Sequence, residues 1–376
     1  PKTAWPSDFG DAAIPGGALG LKVLSEIDDG TGIALVSPQS LYLALGMAAQ
    51  GARGDTLALL EASLNVNGFD ADKAKAELAA MQSVGLSVAN AYFKAGDISL
   101  KPEYEAVLKD AYSAQGFVID DDIVSRVNDW AAENTDGMIR EVLTRKPDGD
   151  TKLILANALL MDAKWQRKFE SYATVERTFH GASGDTQVDM MFRRGDMLYG
   201  ETNSAQVVYL PYEAEGLGMY VILPGEQGAA ALLADVAAHM SGGGVPDELT
   251  AIETADVALR LPRVNAASGS SLKEALKAAG LGGAMELGAD FSGMTDDYDL
   301  FIGNVIQNCA LEVGEEGTRA AAVTAVAMDA GSAYQEAQPK SMTVDRPYIM
   351  LITLSGEGGA SDVQEILFAA VVNDIA

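Results

Sequence analysis

The chain has 376 residues, of which 48% are hydrophobic and 21% charged, and its 54 acidic and 26 basic residues give a net charge of −28. This excess of acid argues against a nucleic-acid partner, because Lys and Arg drive binding to phosphates, and no apolar run approaches the roughly 18 residues that span a membrane. We interpret the charge as an aid to solubility, with a salt-rich habitat as the weaker alternative.

Apolar residues at helical spacing dominate the first third of the chain. Helices are predicted over residues 18–27, 41–50, 56–64, 71–81 and 102–112. The second of them has clear start signals, because Ser37 can cap its first turn and Pro38 occupies a first-turn position that proline tolerates. The apolar run 86–93 predicts a buried strand.

Strand patterns dominate the rest of the chain, after a helix predicted over residues 122–135. The predicted strands cover residues 152–161, 186–192, 206–212, 218–223, 257–264, 300–306, 311–313, 341–344, 348–353 and 366–372. One further helix is predicted over 271–279. Helices early and strands late indicate the α+β class, and no linker or repeat divides residues 1–376 into more than one domain.

The segment from Glu315 to Met328 combines two conflicting patterns. Its alanines favour a helix, whereas its alternating small residues fit a strand. It lies between an apolar run, 311–313, and a polar loop, 331–340. A segment between strands that can itself become a strand is a candidate conformational switch.

A series of short motifs, spread over nearly the whole chain, occurs in an order similar to that of the serpin family. They are Ser37-Pro38-Gln39-Ser40, Gly51-Ala52-Arg53-Gly54-Asp55-Thr56, Ala89-Asn90-Ala91, Val127-Asn128-Asp129-Trp130, Ala156-Asn157-Ala158, Lys164-Trp165, Leu210-Pro211-Tyr212, Leu261-Pro262-Arg263, Ala289-Asp290-Phe291-Ser292-Gly293, the Glu315 segment and Asp345-Arg346-Pro347-Tyr348. The resemblance implies three β-sheets, about nine helices and an exposed reactive-centre loop over approximately residues 315–340.

The resemblance also implies a suicide-substrate inhibitor of serine proteases. A protease would cleave the loop and become acylated, and the cut loop would insert into the central sheet and trap the acyl-enzyme. The implied hinge residues are Glu315, Glu316, Gly317, Thr318, Arg319, Ala320, Ala321 and Ala322. A non-inhibitory binding or storage serpin is the alternative, but the small residues of the hinge favour inhibition.

Alternation within the hinge fits insertion as a strand. Thr318, Ala320 and Ala322 would face the buried side, and Arg319 the other side. Gly317 gives the backbone freedom to pivot, and no proline from 315 to 338 would block the new hydrogen bonds.

Two counts along the loop place the scissile bond differently. Counting the serpin family's spacing forward from Glu315 gives Gly331-Ser332, whereas counting it back from Arg346-Pro347 gives a bond near Ala333-Tyr334. We prefer the forward count, because the length that must insert is mechanically constrained. Small residues there predict an elastase- or subtilisin-like target, with a chymotrypsin-like protease that binds Tyr334 as the alternative.

Two supporting regions follow from the resemblance. At the top of the large sheet, the breach, Glu315 would pair with Arg263 near Trp165; an ordinary surface pair contributing under about 1 kcal/mol is the alternative. In the shutter, where the sheet's central strands part, the matching residues are Ser37, Ser40, Asn157 and Gln307. Gln307 stands where most relatives have histidine; its amide can still bond Asn157, but the pH dependence of an imidazole would be lost.

Catalytic and metal chemistry are not indicated by the residues. The only histidines are His180 and His239, and no Gly-x-Ser-x-Gly motif supplies a nucleophile. The single cysteine, Cys309, lies in an apolar run and is predicted to fill the core. We therefore expect no enzyme activity, no cofactor and no metal.

The expected partner is a serine protease, held in a covalent acyl complex by a monomeric inhibitor. Neither nucleic acid nor a glycosaminoglycan is expected as a partner, since a basic helix that could bind polyanions is absent. A membrane is not expected as a partner either. The sequence begins at Pro1 without a signal-peptide pattern, which suggests a processed or trimmed chain. We expect a secreted or periplasmic protein.

Overall fold

Nine α-helices form within the part of the chain that the computed structural model describes, residues 14–147, 149, 151–242, 246–297, 300–318, 339–356 and 358–375. They are α1 (Gly17–Ile27), α2 (Pro38–Gly51), α3 (Gly54–Leu64), α4 (Ala71–Ser83), α5 (Pro102–Tyr112), α6 (Ile123–Asn134), α7 (Ala229–Ser241), α8 (Asp247–Thr250) and α9 (Lys273–Leu276). None of the helices in these ranges combines the length and apolarity needed to span a membrane.

Sixteen β-strands accompany the helices in the same ranges. They are β1 (Ile33–Val36), β2 (Leu86–Ala95), β3 (Gln115–Ile119), β4 (Leu153–Met161), β5 (Ala163–Lys164), β6 (Val175–Gly181), β7 (Gly184–Glu201), β8 (Ala205–Pro211), β9 (Leu217–Pro224), β10 (Glu253–Pro262), β11 (Val264–Ser271), β12 (Asn304–Val313), β13 (Gly317–Thr318), β14 (Lys340–Thr343), β15 (Tyr348–Ser355) and β16 (Val363–Val372). The predicted α+β class is confirmed.

Several predicted elements differ from the structure. The strand predicted over 257–264 is divided at Arg263 between β10 and β11, and the strand predicted over 311–313 is the end of β12. The strand predicted over 300–306 begins only at Asn304. The helix predicted over 271–279 is α9 followed by a π-helical turn, Lys277–Leu281, in which Gly280 has a φ of 110°. A positive φ is incompatible with a continuing right-handed helix, so the helix ends there.

The central sheet has the strand order β3-β2-β4-β12-β13-β5, with β11 on β12. Its middle strands, β4 and β12, are direct neighbours and run parallel, paired from Asn304 with Ile154 to Ala310 with Leu160. One face packs on the main core, against which α2 lies, and the other on a smaller core that includes Trp130 of α6. All nine residues of β4 are buried, as expected for a strand covered on both faces.

The second sheet has nine strands in the order β1-β16-β15-β9-β8-β7-β10-β14, with β6 on β7. Its 18-residue strand β7 pairs with β6, with β10 and, at its end, with β8. Two of the three sheets that the family resemblance implies are therefore hydrogen-bonded into one continuous sheet through β7.

Candidate functional site

The upper end of the central sheet holds the beginning of the segment singled out in the sequence. The chain reverses after β12 in a tight turn, in which the Gly314 N–H donates to the Gly317 carbonyl at 2.9 Å. The two residues of β13 then pair antiparallel with β12 on one side and with β5 on the other. Gly317 and Thr318 thus lie between the two halves of the sheet.

Gly317 adopts a backbone conformation that favours glycine, with a φ of 155°. A Cβ at this position would collide with the Ala163 carbonyl oxygen of the neighbouring strand. Both observations indicate that a side chain here would push β13 away from β5.

Thr318 lies fully buried at the end of the described hinge. Its Oγ1 lies 2.7 Å from the hydroxyl of Tyr212, whose ring stacks on Trp165 with centroids 4.3 Å apart. Burial raises the pKa of Tyr212, so the phenol stays neutral and shares a hydrogen bond with Thr318. This is the inward orientation that the alternation of small residues predicts for Thr318.

The remaining predicted loop residues lie outside the described part of the chain and stay predictions. They are the hinge residues Arg319, Ala320, Ala321 and Ala322 and the candidate scissile residues Gly331, Ser332, Ala333 and Tyr334.

The carboxylate of Glu315 accepts hydrogen bonds from two side chains. Arg263 donates through Nη2 at 2.7 Å and through Nε at 3.0 Å, and Thr174 donates from Oγ1 at 2.6 Å. Burial alone would raise the pKa of Glu315, but these hydrogen bonds outweigh it and hold the pKa below its usual range. Arg263 also contacts Asp189 at 2.8 Å and has a raised pKa because of the Glu315 hydrogen bond. The sequence analysis did not anticipate Thr174, since nothing in its local pattern marks it.

The main chain of the hinge is anchored by the segment that follows β5. The Trp165 N–H donates to the Glu316 carbonyl at 2.9 Å, and its indole Nε1–H donates to the Gly314 carbonyl at 2.8 Å. The Phe169 N–H donates to the Glu315 carbonyl at 2.9 Å. Trp165 is 2% exposed, so these bonds are shielded from water and resist exchange with it.

The shutter residues lie at the middle of the β4–β12 pair, on the side that faces α2. The side-chain amide of Gln307 accepts from the Ser37 N–H at 2.9 Å and donates to the Ser37 carbonyl at 2.7 Å. Asn157 donates instead to Asn90 Oδ1 at 2.7 Å, and the Ser40 N–H donates to Ser37 Oγ at 3.0 Å.

Among the described residues, the hydrogen bond between Gln307 and Asn157 that the sequence left possible is not formed. A side-chain amide presents a donating nitrogen and an accepting oxygen side by side, and Gln307 directs both toward the C=O and N–H of Ser37 at the start of α2. The hydroxyl of Ser40 and Oδ1 of Asn157 are buried without a hydrogen-bond partner in the described structure.

Groups that could serve catalysis are dispersed. Cys309 is fully buried, and burial raises the pKa of its thiol. His180 is exposed and bonded to Asp185 at 2.8 Å, which raises the pKa of the imidazole. Across the described ranges, no group of three or more His, Cys, Asp or Glu residues is arranged to hold a metal ion.

Comparison with known proteins gives one consistent family. The model of the serpin (serine protease inhibitor) family matches residues 17–374. An uncharacterized serpin-like protein of Thermococcus kodakarensis is 30% identical over 329 residues, which cover 84% of this chain and 76% of that protein. The leukocyte elastase inhibitor of Bos taurus is 31% identical over 341 residues, 85% of this chain and 89% of the relative.

Solved structures agree with the sequence comparison. The thermophilic serpin tengpin in its native state superposes with a TM-score of 0.80 at 25% identity, covering 96% of this chain and 94% of tengpin. Serpin48 of the insect Tenebrio molitor, described as highly specific, superposes with a TM-score of 0.77 at 27% identity, covering 95% of this chain and 96% of that one.

Proposed function

The chain belongs to the serpin family, and from this premise we propose that it is a suicide-substrate inhibitor of serine proteases. The observation that carries the proposal is the direct parallel pairing of β4 with β12, with β13 already paired at the upper end of this boundary. We call the boundary between β4 and β12 the seam; it is closed as long as the two strands are hydrogen-bonded to each other. Relatives named as protease inhibitors, such as the leukocyte elastase inhibitor of Bos taurus, support the same proposal.

The direction of β13 suits insertion. Strands β4 and β12 run parallel, so a strand between them can be antiparallel to both. β13 is antiparallel to β12 and to β5, which continues the line of β4. Residues after Thr318 would extend both ladders without a change of direction.

The energy available can be estimated from the length of the seam. Insertion breaks one parallel ladder, paired over residues 304–310, and forms two antiparallel ones, so the net gain is about one ladder. Roughly seven hydrogen bonds at about 1 kcal/mol each stabilise the inserted form by on the order of 7 kcal/mol. This corresponds to a factor of about 10⁵ in an equilibrium constant, enough to make insertion irreversible in practice.

The proposed target is an elastase- or subtilisin-like protease, cleaved at Gly331-Ser332 and held as a covalent acyl complex. The small residues around that bond support this choice. The proposed roles of the breach and the shutter are to keep the seam closed until the loop is cut, supported by the contacts of Glu315 and of Gln307.

The test is incubation with pancreatic elastase, subtilisin and chymotrypsin, followed by denaturing electrophoresis. We expect a complex that survives boiling in SDS. We also expect a released C-terminal peptide whose mass shows that it begins at Ser332. Cleavage without a complex by all three proteases, and without a rise in thermal stability of the cut protein, would instead identify a non-inhibitory serpin.

A hinge variant links the outcome to the structure. Thr318→Arg would place a charge where the native side chain is fully buried against Tyr212, so we expect the protein to become a substrate that is cut but forms no complex. Thr318→Ser keeps the hydroxyl and serves as the matched control, with complex formation retained.

A further inference from the structure

Two arginines beside the hinge have no acidic partner among the residues that the structure describes, although acids outnumber bases two to one in this chain. Arg193 of β7 and Arg167, in the segment after β5, form none of the ion pairs found among the described residues. The neighbouring arginines Arg194 and Arg263 do pair with carboxylates. Arg167 and Arg193 thus differ from these two neighbours, whose charges are balanced by carboxylates.

Arg193 is the buried member of the two, with 9% of its surface exposed. Its guanidinium lies over the ring of Phe169, 4.9 Å from the centroid, and donates from Nη1 to the Arg167 carbonyl. Its Nε–H is buried without a hydrogen-bond partner in the described structure. Burial, followed by repulsion from Arg167, lowers the pKa of Arg193 to about 10. Leaving a buried charge without a counter-charge is costly, and a bound anion would remove that cost.

Gly195 leaves room for the second guanidinium on the same face of β7. It lies two residues after Arg193 on β7, so a side chain there would point to the same face, about 7 Å along the strand. Glycine leaves this space open, and the Arg167 guanidinium occupies it: a Cβ on Gly195 would lie 2.6 Å from Arg167 Nη1. Asp196, the nearest acid along β7, faces the opposite side of the strand by the same alternation.

We propose that Arg167 and Arg193 form a binding site for a small oxyanion such as sulfate or phosphate. Two guanidiniums supply the forked N–H donors that match oxyanions. A single small anion fits better than a polyanion, because the protein carries a net charge of −28 and Glu315 lies close by, bonded to the N–H of the Phe169 on which Arg193 stacks.

Occupancy of this site would also act on the hinge. Arg193 stacks on Phe169, whose N–H holds the Glu315 carbonyl, and the adjacent Lys168 lies 3.5 Å from Glu316. An anion that holds Arg193 in place would therefore also restrict the movement of Lys168 and Phe169, the segment that anchors the hinge.

The test is thermal unfolding of the full chain in sodium sulfate, with sodium chloride at equal ionic strength as the reference. We expect a saturable, sulfate-specific rise in Tm of about 2 °C, and an apparent sulfate affinity at least tenfold weaker in Arg167→Gln. The matched control is Arg145→Gln, which removes an exposed arginine between α6 and β4 and should respond to sulfate like the wild type. No protease enters this measurement, so its failure is separate from failure of the inhibitory function.

Gly195→Ala tests the geometry without removing a charge. The new Cβ would displace the Arg167 guanidinium, so sulfate affinity measured by calorimetry should fall at least several-fold, relative to the variant's own sulfate-free baseline. The proposal is overturned if the wild type shows no sulfate-specific rise, or if Arg167→Gln and Gly195→Ala bind sulfate as the wild type does.

Discussion

Replacing Glu315 by glutamine should accelerate spontaneous conversion of the protein to a loop-inserted form. The change removes the charge that receives hydrogen bonds from Arg263 and Thr174. Hydrogen bonds to a charged group contribute about 1.5–3 kcal/mol; because the Arg263 side chain is 46% exposed, solvent screening reduces this to about 1–2 kcal/mol. If the pair must break before the loop enters the seam, the conversion rate rises roughly fivefold to thirtyfold.

The assay is incubation without protease about 10 °C below the unfolding midpoint, with the heat-resistant fraction and the tryptophan fluorescence followed over time. Trp165 is a suitable reporter, since it contacts both Gly314 and Tyr212. Asp189→Asn is the matched control, because it removes the other, more exposed partner of Arg263 and should change the rate less than about threefold. A Glu315→Gln protein that converts no faster than Asp189→Asn would refute the restraining role of the pair.

The same pair gives a pH dependence with a defined sign. The pKa of Glu315 is lowered in the folded protein, so its restraint is complete above the usual carboxyl range of about 4.5 and is lost as the pH falls through the lowered folded value. The wild-type conversion rate should be level from pH 8 to 5 and rise in more acidic buffer. The Glu315→Gln rate should lack that acid-induced rise.

Two further predictions concern buried polar groups. Glu77 of α4 is fully buried, and burial raises its pKa to about 7, so wild-type stability should fall as the pH rises from about 4.5 to 7. Glu77→Gln should remove this loss and raise the free energy of unfolding at pH 8, measured in urea, by about 3 kcal/mol relative to the wild type. The control Glu103→Gln, at an exposed position of α5, should change stability by under about 0.5 kcal/mol. Gln307→His would bury an imidazole at a site that is 4% exposed, and burial lowers the imidazole pKa. This variant should therefore lose stability relative to the wild type as the pH falls below about 6.5. Equal pH profiles of stability for the two proteins would contradict the inferred burial.

Elements with a strong local pattern could be predicted from the sequence. The start of α2 is an example, since Ser37 caps it and Pro38 opens it as expected. Helix α7 is absent from the sequence prediction, although Leu232, Val236 and Met240 recur at helical spacing and are buried. Alanines on its other faces weaken the contrast between apolar and polar positions from which such patterns are read.

The candidate site depends more on contacts between distant segments. Glu315 and Arg263 could be paired only through the family resemblance, because 52 positions separate them. The partner of Gln307 could not be read from the chain, since an amide can satisfy either Asn157 or the main chain of Ser37 and only the approach of α2 to β12 decides. The continuity of β7 through two sheets likewise depends on neighbours brought together by the fold.

The two residues of β13 have a kinetic consequence. Nucleating a strand between two others is slow, because the chain must be ordered before new hydrogen bonds repay the lost entropy. Here Thr318 is already paired with both β12 and β5, so the proposed insertion would be propagation from an existing nucleus, and separation of β4 from β12 would set its rate. A loop from a second molecule would lack this nucleus. It would also compete with the protein's own loop, which is tethered to the sheet and has an effective concentration on the order of millimolar. At lower protein concentrations, the proposed self-insertion would therefore be faster than exchange of loops between molecules.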